Sequence, residues 1–137
     1  MQENGTEKPS VILVVDDEAH IVRVVAFKLR SAGYEVIEAF DGEEAWDRLH
    51  DSEVDLVLTD RQMPILDGIE LARRIASDPR TANLPVIMLT ARGFRLTPSE
   101  LTDAGVVEMI DKPFSPRGLV ERIEVALDAR AAGRTAA

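Results

Sequence analysis

Asp55-Leu-Val-Leu-Thr-Asp60-Arg-Gln-Met-Pro64 is the stretch on which the fold turns. Leu56 to Thr59 form an apolar and β-branched run, and the Asp60 carboxylate stands where that run ends. A continuous run reads as a short strand buried on both faces, here Val54 to Thr59, because a half-solvated strand would alternate. Pro64 and the Asp67-Gly68 pair break the chain before the next helix. Asp60 is therefore expected at the carboxyl end of a central strand, facing the crevice where open α/β sheets bind ligands. A carboxylate there is a nucleophile, a metal ligand or a buried structural acid.

Working outward, Val11-Ile-Leu-Val-Val15 is a second continuous run, and it ends in Asp16-Asp17-Glu18. From Ala19 to Ala32, Ile21, Val25 and Leu29 make one apolar stripe, and Gly33 suits the end of that helix. Glu35 to Ala39 alternates weakly, as an edge strand would, and Phe40-Asp41-Gly42 is turn chemistry. Glu43 to Asp51 and Ile69 to Ser77 read as helices, with a loop from Asp78 to Pro85. Val86 to Leu89 is a fourth strand ending in Thr90-Ala91. Thr97-Pro98-Ser99-Glu100 carries an N-cap, a first-turn proline and a capping-box glutamate, opening a short helix to about Ala104. Val106 to Ile110 is a fifth strand followed by Asp111-Lys112-Pro113-Phe114, and Ser115-Pro116 starts the last helix.

Five strand–helix units with short connections predict a three-layer α/β sandwich: a five-stranded parallel sheet in the order 2-1-3-4-5, with five helices on its two faces. Residues 1–9 are expected to be a flexible tail, 10–128 the folded domain, and 129–137 a frayed end. One domain of this size suits a chain of 137 residues.

Composition narrows the function classes. Sixteen basic against 25 acidic residues give a formal charge of -9, which argues against a nucleic-acid footprint and against an anionic membrane surface. There is no cysteine, so thiolate chemistry is excluded. The polar start lacks a signal core, and no apolar run approaches the ~18 residues of a membrane span. The cytoplasm is the expected compartment.

In a parallel sheet all carboxyl ends lie at one edge, so Asp16, Asp17, Asp60, Thr90 and Lys112 should meet there. Close carboxylates require compensation. An all-oxygen donor set without histidine or cysteine suits Mg²⁺, and a lysine ammonium compensates further. With a metal held by Asp16, Asp17 and Asp60, Asp60 could take a phosphoryl group, Lys112 and Thr90 could contact its oxygens, and small Ala91 leaves room for access.

Each residue alone has a plainer reading. Asp16-Asp17 could cap the following helix, Asp60 could close an Asx turn, Thr90 could be an ordinary strand end, and Lys112 could be surface charge. Trp46 reads as peripheral core, and His20 and His50 lack ligand partners. Their coincidence at successive strand ends favours the site.

Four segments together, Val-Val-Asp16-Asp17-Glu, Asp60-Arg-Gln-Met-Pro64, Leu-Thr90-Ala91 and Asp-Lys112-Pro113-Phe114, resemble the receiver domains of bacterial two-component response regulators over about residues 10 to 128. The resemblance implies Asp60 as phospho-acceptor, Asp16 and Asp17 with the Gln62 backbone carbonyl serving Mg²⁺, Thr90 as the switch hydroxyl and Lys112 as the phosphate-pairing lysine. It implies a histidine kinase or phosphotransfer protein as donor, small phosphodonors besides, and a downstream protein target reached through the fourth helix, fifth strand and fifth helix. Pro113 matches a position of a cis Lys-Pro bond.

The chain departs from the pattern at Met109, where the family usually carries Tyr or Phe. Met specifies a position less well, so Thr90 is expected still to move while the surface around Met109 repacks weakly. Arg92-Gly-Phe94 is also unusual: Phe94 either anchors a partner or, the preferred reading, folds back on the core. By resemblance, Gln62 and Arg92 tune dephosphorylation. The expectation is a stand-alone receiver, monomeric or weakly dimeric, that is no enzyme beyond its own phosphorylation and slow autodephosphorylation. A Mg²⁺-dependent phosphohydrolase would want a second carboxylate at position 62, which is Gln62. A degenerate receiver that binds partners without phosphorylation is the other alternative; the intact acids, Thr90 and Lys112 stand against it, and Met109 stands slightly for it.

Overall fold

The computed structural model describes residues 8–91 and 95–136, with side chains to residue 132. The strands are β1 (Val11–Val15), β2 (Glu35–Ala39), β3 (Leu56–Asp60), β4 (Val86–Thr90) and β5 (Val106–Asp111). The helices are α1 (Ala19–Ser31), α2 (Gly42–Asp51), α3 (Gly68–Ser77), α4 (Pro98–Ala104) and α5 (Pro116–Ala136). All strand pairs are parallel, and the sheet runs β2-β1-β3-β4-β5. This is the expected flavodoxin-like order.

The pleat explains the continuous runs. Leu13, Val15, Val57 and Met88 point to the face covered by α2, α3 and α4, where Ala45, Leu71, Ile75 and Ala104 meet them. Ile12, Val14, Leu56, Leu58, Ile87 and Leu89 point to the other face, under Val22, Val25 and Leu29 of α1 and Leu119 and Ile123 of α5. Both sides of β1, β3 and β4 are buried, so neither parity can be polar. β2, at a sheet edge, is only partly buried, which is why its sequence alternates weakly.

Local chemistry sets the helix ends. Asp41 accepts from the Glu44 N–H at 2.7 Å and starts α2. Capping boxes join Asp67 with Glu70 and Thr97 with Glu100, starting α3 and α4. Gly105, at φ 70°, ends α4 in the left-handed region.

Two boundaries differ from the sequence reading by more than one residue. β3 begins at Leu56 rather than Val54, because Asp55 turns to bond the start of β1: its N–H donates to the Val11 carbonyl at 2.8 Å and its carboxylate accepts from the Val11 N–H at 2.8 Å. The last helix does not stop at residue 128; α5 runs to Ala136. The Ala- and Arg-rich tail is a good helix former. Arg130 also fastens it under the sheet, donating to the Asp55 carbonyl at 2.9 Å and to its carboxylate at 3.3 Å.

Candidate functional site

The parallel sheet delivers the five residues to one edge. Asp16 follows β1 and is 1% exposed, Asp60 closes β3 at 7%, and Thr90 closes β4 at 1%, while Asp17 is exposed. Each of Asp16, Asp17 and Asp60 offers an oxygen within 4.8 Å of the others. Lys112, just past β5, places its ammonium 2.9 Å from Asp60 Oδ1 and 3.3 Å from Asp16 Oδ2. It also lies 3.9 Å from Glu18 Oε1. Asp17, Glu18, Asp60, Gln62, Ala91 and Lys112 are among the residues that line a cavity of about 400 Å³ above these groups. A larger cavity of about 770 Å³, lined by Leu84, Leu101, Val106 and Ala126 among others, includes no carboxylate. The chemistry belongs to the smaller one.

Electrostatics show a site short of positive charge. Burial pushes the Asp60 carboxyl above the usual carboxylate range and the Asp17 charge adds to it, against the pull of Lys112 and the Arg61 N–H. Burial likewise raises Asp16, as does Asp60, opposed by the Glu18 N–H, which donates at 3.0 Å, and by Lys112. Burial pulls Lys112 down, but Asp60 and Asp16 outweigh it and the ammonium is held above its ordinary value. The Lys112 ammonium thus pairs with two of the three clustered carboxylates. The all-oxygen donor set and the surplus negative charge fit a hard divalent cation.

The backbone holds the Asp60 end of β3 from below. The Arg61 N–H donates to the Leu89 carbonyl at 2.8 Å and the Gly68 N–H to the Arg61 carbonyl at 2.9 Å. A Cβ at Gly68 would overlap the Asp60 carbonyl oxygen and sit 3.0 Å from the Arg61 Cα, which is backbone and has little room to move. Gly68→Ala is therefore expected to push α3 off the end of β3. It should cost about 1–3 kcal/mol by overpacking and weaken divalent-cation binding at Asp60. Urea unfolding and a Mg²⁺ titration of the variant check both.

The remaining residues fall as follows. The Thr90 hydroxyl makes a long 3.4 Å bond to the Ala91 carbonyl, while the Thr90 carbonyl accepts from the Lys112 N–H at 2.8 Å. Gln62 lies on the cavity wall. The Lys112–Pro113 peptide is cis. Met109 is half-buried against the α2–α4 face. His50 bonds the Trp46 carbonyl at 2.8 Å, packs its ring 4.7 Å from the Trp46 ring and lies remote from these groups in sequence and contact. Arg92 and Phe94 lie outside the described residues. Sequence reasoning gave no role to Glu18, Gly68 or Arg95. Glu18 was in view, in the acidic run after β1. Gly68 marks only a chain break in the sequence, and its closeness to Asp60 is a tertiary fact.

Residues 12–124 match the family described as response regulator receiver domain. This chain belongs to that family. The receiver domain is 38% identical over 118 residues to chemotaxis protein CheY1 of Helicobacter pylori strain 26695, covering 85% of this chain and 95% of that protein. It is 44% identical over 116 residues to the phosphate regulon transcriptional regulatory protein PhoB of Pseudomonas aeruginosa, covering 85% of this chain but 51% of PhoB. The chain thus spans about half of that longer relative. Among solved structures, a response regulator receiver domain protein from Clostridium thermocellum superposes with TM-score 0.81 at 30% identity, over 90% of this chain and 98% of that one. The chemotaxis response regulator CheY4 of Vibrio cholerae gives 0.80 at 28% identity, over 87% and 99%. Among the described residues of this receiver domain, no helix is long and apolar enough to cross a membrane.

Proposed function

We propose that this receiver domain accepts a phosphoryl group on Asp60, in a Mg²⁺-dependent reaction, from a histidine kinase or phosphotransfer protein. The observation that carries the reading is the Asp60 carboxylate, recessed at the end of β3, 2.9 Å from the Lys112 ammonium and clustered with Asp16 and Asp17. An Asp60 oxygen forms the new P–O bond, and the donor's P–N bond breaks, its electron pair staying on the imidazole nitrogen, which takes a proton. Lys112 orients the attacking carboxylate and pairs with a phosphoryl oxygen afterwards. The Thr90 hydroxyl, whose bond to the Ala91 carbonyl is a long 3.4 Å, would turn toward another. Asp16, Asp17 and Asp60, with the Gln62 carbonyl, would hold Mg²⁺, which supplies neutralisation of phosphoryl charge. Gln62 is no acid/base, so the acyl phosphate is lost only by slow autodephosphorylation, and no metabolite is turned over.

The signal leaves through α4, β5 and α5. That surface exposes Val107 and Val125 and carries the Arg122–Glu108 ion pair. With Met109 in place of an aromatic ring, the rearrangement around β5 is small. Adding Mg²⁺ and beryllofluoride should shift the resonances of Asp60, Thr90 and Lys112 strongly and those around Met109 weakly. An unchanged spectrum would leave a phosphorylation-independent binding module as the function.

Metal binding has a thermodynamic signature. A group whose folded pKa is raised contributes stability below its unfolded pKa and loses it as pH rises through the folded value. Asp16 and Asp60 are both raised, so the metal-free fold gains stability as pH falls toward the ordinary carboxylate range near ~4. Mg²⁺ at roughly 100 times its Kd should add about 2.7 kcal/mol near neutral pH and progressively less as the two acids protonate. Melting curves at several pH values with and without Mg²⁺ measure this.

A further inference from the structure

The two strands that bring Thr90 and Lys112 to the site are tied a second time, outside it. Arg95, beyond β4, donates two hydrogen bonds of 2.8 Å to the two carboxylate oxygens of Asp111. Asp111 is the last residue of β5, pairs in register with Thr90, and immediately precedes Lys112. Successive side chains along an extended backbone point to opposite sides. The side turned inward here is Lys112, and the side turned outward is Asp111, gripped by a planar guanidinium whose fork fits both oxygens. If this backbone twisted, the Asp111 carboxylate would swing toward a crevice already crowded by Asp16, Asp17 and Asp60. Among the described residues, Arg122, which with Arg95, Met109 and Phe114 lines a cavity of about 280 Å³, is itself paired with Glu108.

We propose that Arg95, acting through Asp111, is a positioning residue for Lys112: it holds the Asp111 carboxylate on the outer side of β5, so that the ammonium and not a fourth acid faces Asp60. The consequence for phosphoryl uptake rests on Asp60 being the acceptor; the positioning itself does not. Arg95 and Asp111 are both partly solvated, with side chains 57% and 36% exposed, so the pair adds little to stability and its effect is on geometry.

The test compares the wild type with Arg95→Ala, Asp111→Asn, the double variant, and Arg117→Ala as a remote control. Two readouts are taken: phosphoryl uptake from acetyl phosphate with Mg²⁺, and the Lys112 backbone-amide and ammonium resonances without any phosphodonor. Arg95→Ala should slow uptake about tenfold, in the range seen when a residue orienting a metal-site ligand is lost, and should shift both Lys112 signals. Circular dichroism should be unchanged. The double variant should recover most of the rate, because the stray charge has gone, and Arg117→Ala should match wild type. Wild-type uptake and unmoved Lys112 signals in Arg95→Ala overturn the proposal, as does a double variant no faster than the single one. If the wild type takes up no phosphoryl group while Arg95→Ala still moves the Lys112 signals, the positioning stands and the acceptor assignment fails.

Discussion

Asp60→Asn should take up no phosphoryl group, at a rate below about one thousandth of wild type, yet melt at a higher temperature when both proteins are metal-free. The two effects have one origin. Asn has nearly the shape of Asp but lacks the anionic oxygen that attacks phosphorus, so the nucleophile is lost. The same change removes one of three carboxylates that crowd within 4.8 Å and that burial already disfavours as anions. A neutral amide relieves the repulsion on Asp16 and still accepts from Lys112. The stability gain should vanish in saturating Mg²⁺, which compensates the wild-type charge and binds the variant more weakly. It should also shrink at low pH, where wild-type Asp60 is itself neutral. Stability lost at every pH would show that Asp60 serves the fold rather than the reaction.

Lys112→Met should act in the opposite direction. The methionine keeps much of the apolar stem and removes the charge. Asp16, 1% exposed, and Asp60, 9% exposed at its side chain, then face each other without the ammonium between them. Removing one partner of a buried ionic group costs several times what the pair contributes, because a charge is left uncompensated. The expected loss is about 3 kcal/mol near neutral pH, or roughly a 10 °C fall in Tm for a chain of this length. Lys112 is held above its ordinary value, so its contribution is fully present at neutral pH and disappears only when the pH passes above the lysine range. Without it the two carboxyls rise further, and the penalty shrinks as acid protonates them. Mg²⁺ should restore part of the loss. A variant that melts like wild type with and without Mg²⁺ would mean that the ammonium does not hold this cluster together.

The strand ends were legible because they obey a local rule. The apolar runs of β1, β3 and β4 each stop at a polar side chain, and parallel topology converts that repeated stop into a shared edge. Asp16, Asp60, Thr90 and Lys112 could be placed together from sequence for that reason alone. The capping box at Thr97 is equally local, and the helix start there needed no tertiary knowledge. Contacts set by packing were not legible. Gly68 is glycine because the Asp60 carbonyl occupies the space of a side chain, and no pattern near Gly68 announces it. Arg95 and Asp111 lie 16 residues apart and meet only after β4 and β5 pair. The apolar stripe of α5 ends near Leu127, whereas the helix continues to Ala136 on Ala and Arg propensity and on the hold of Arg130 upon Asp55.

The most direct measurement is the intact mass of the wild-type chain after incubation with a phosphohistidine donor or acetyl phosphate, with Mg²⁺ and with a chelator, followed by localisation of any adduct. A single phosphoryl group on Asp60, formed only with the metal and released by hydroxylamine as an acyl phosphate, is the predicted result. An unmodified mass in Mg²⁺, or an adduct that forms equally in the chelator or on another residue, would contradict it.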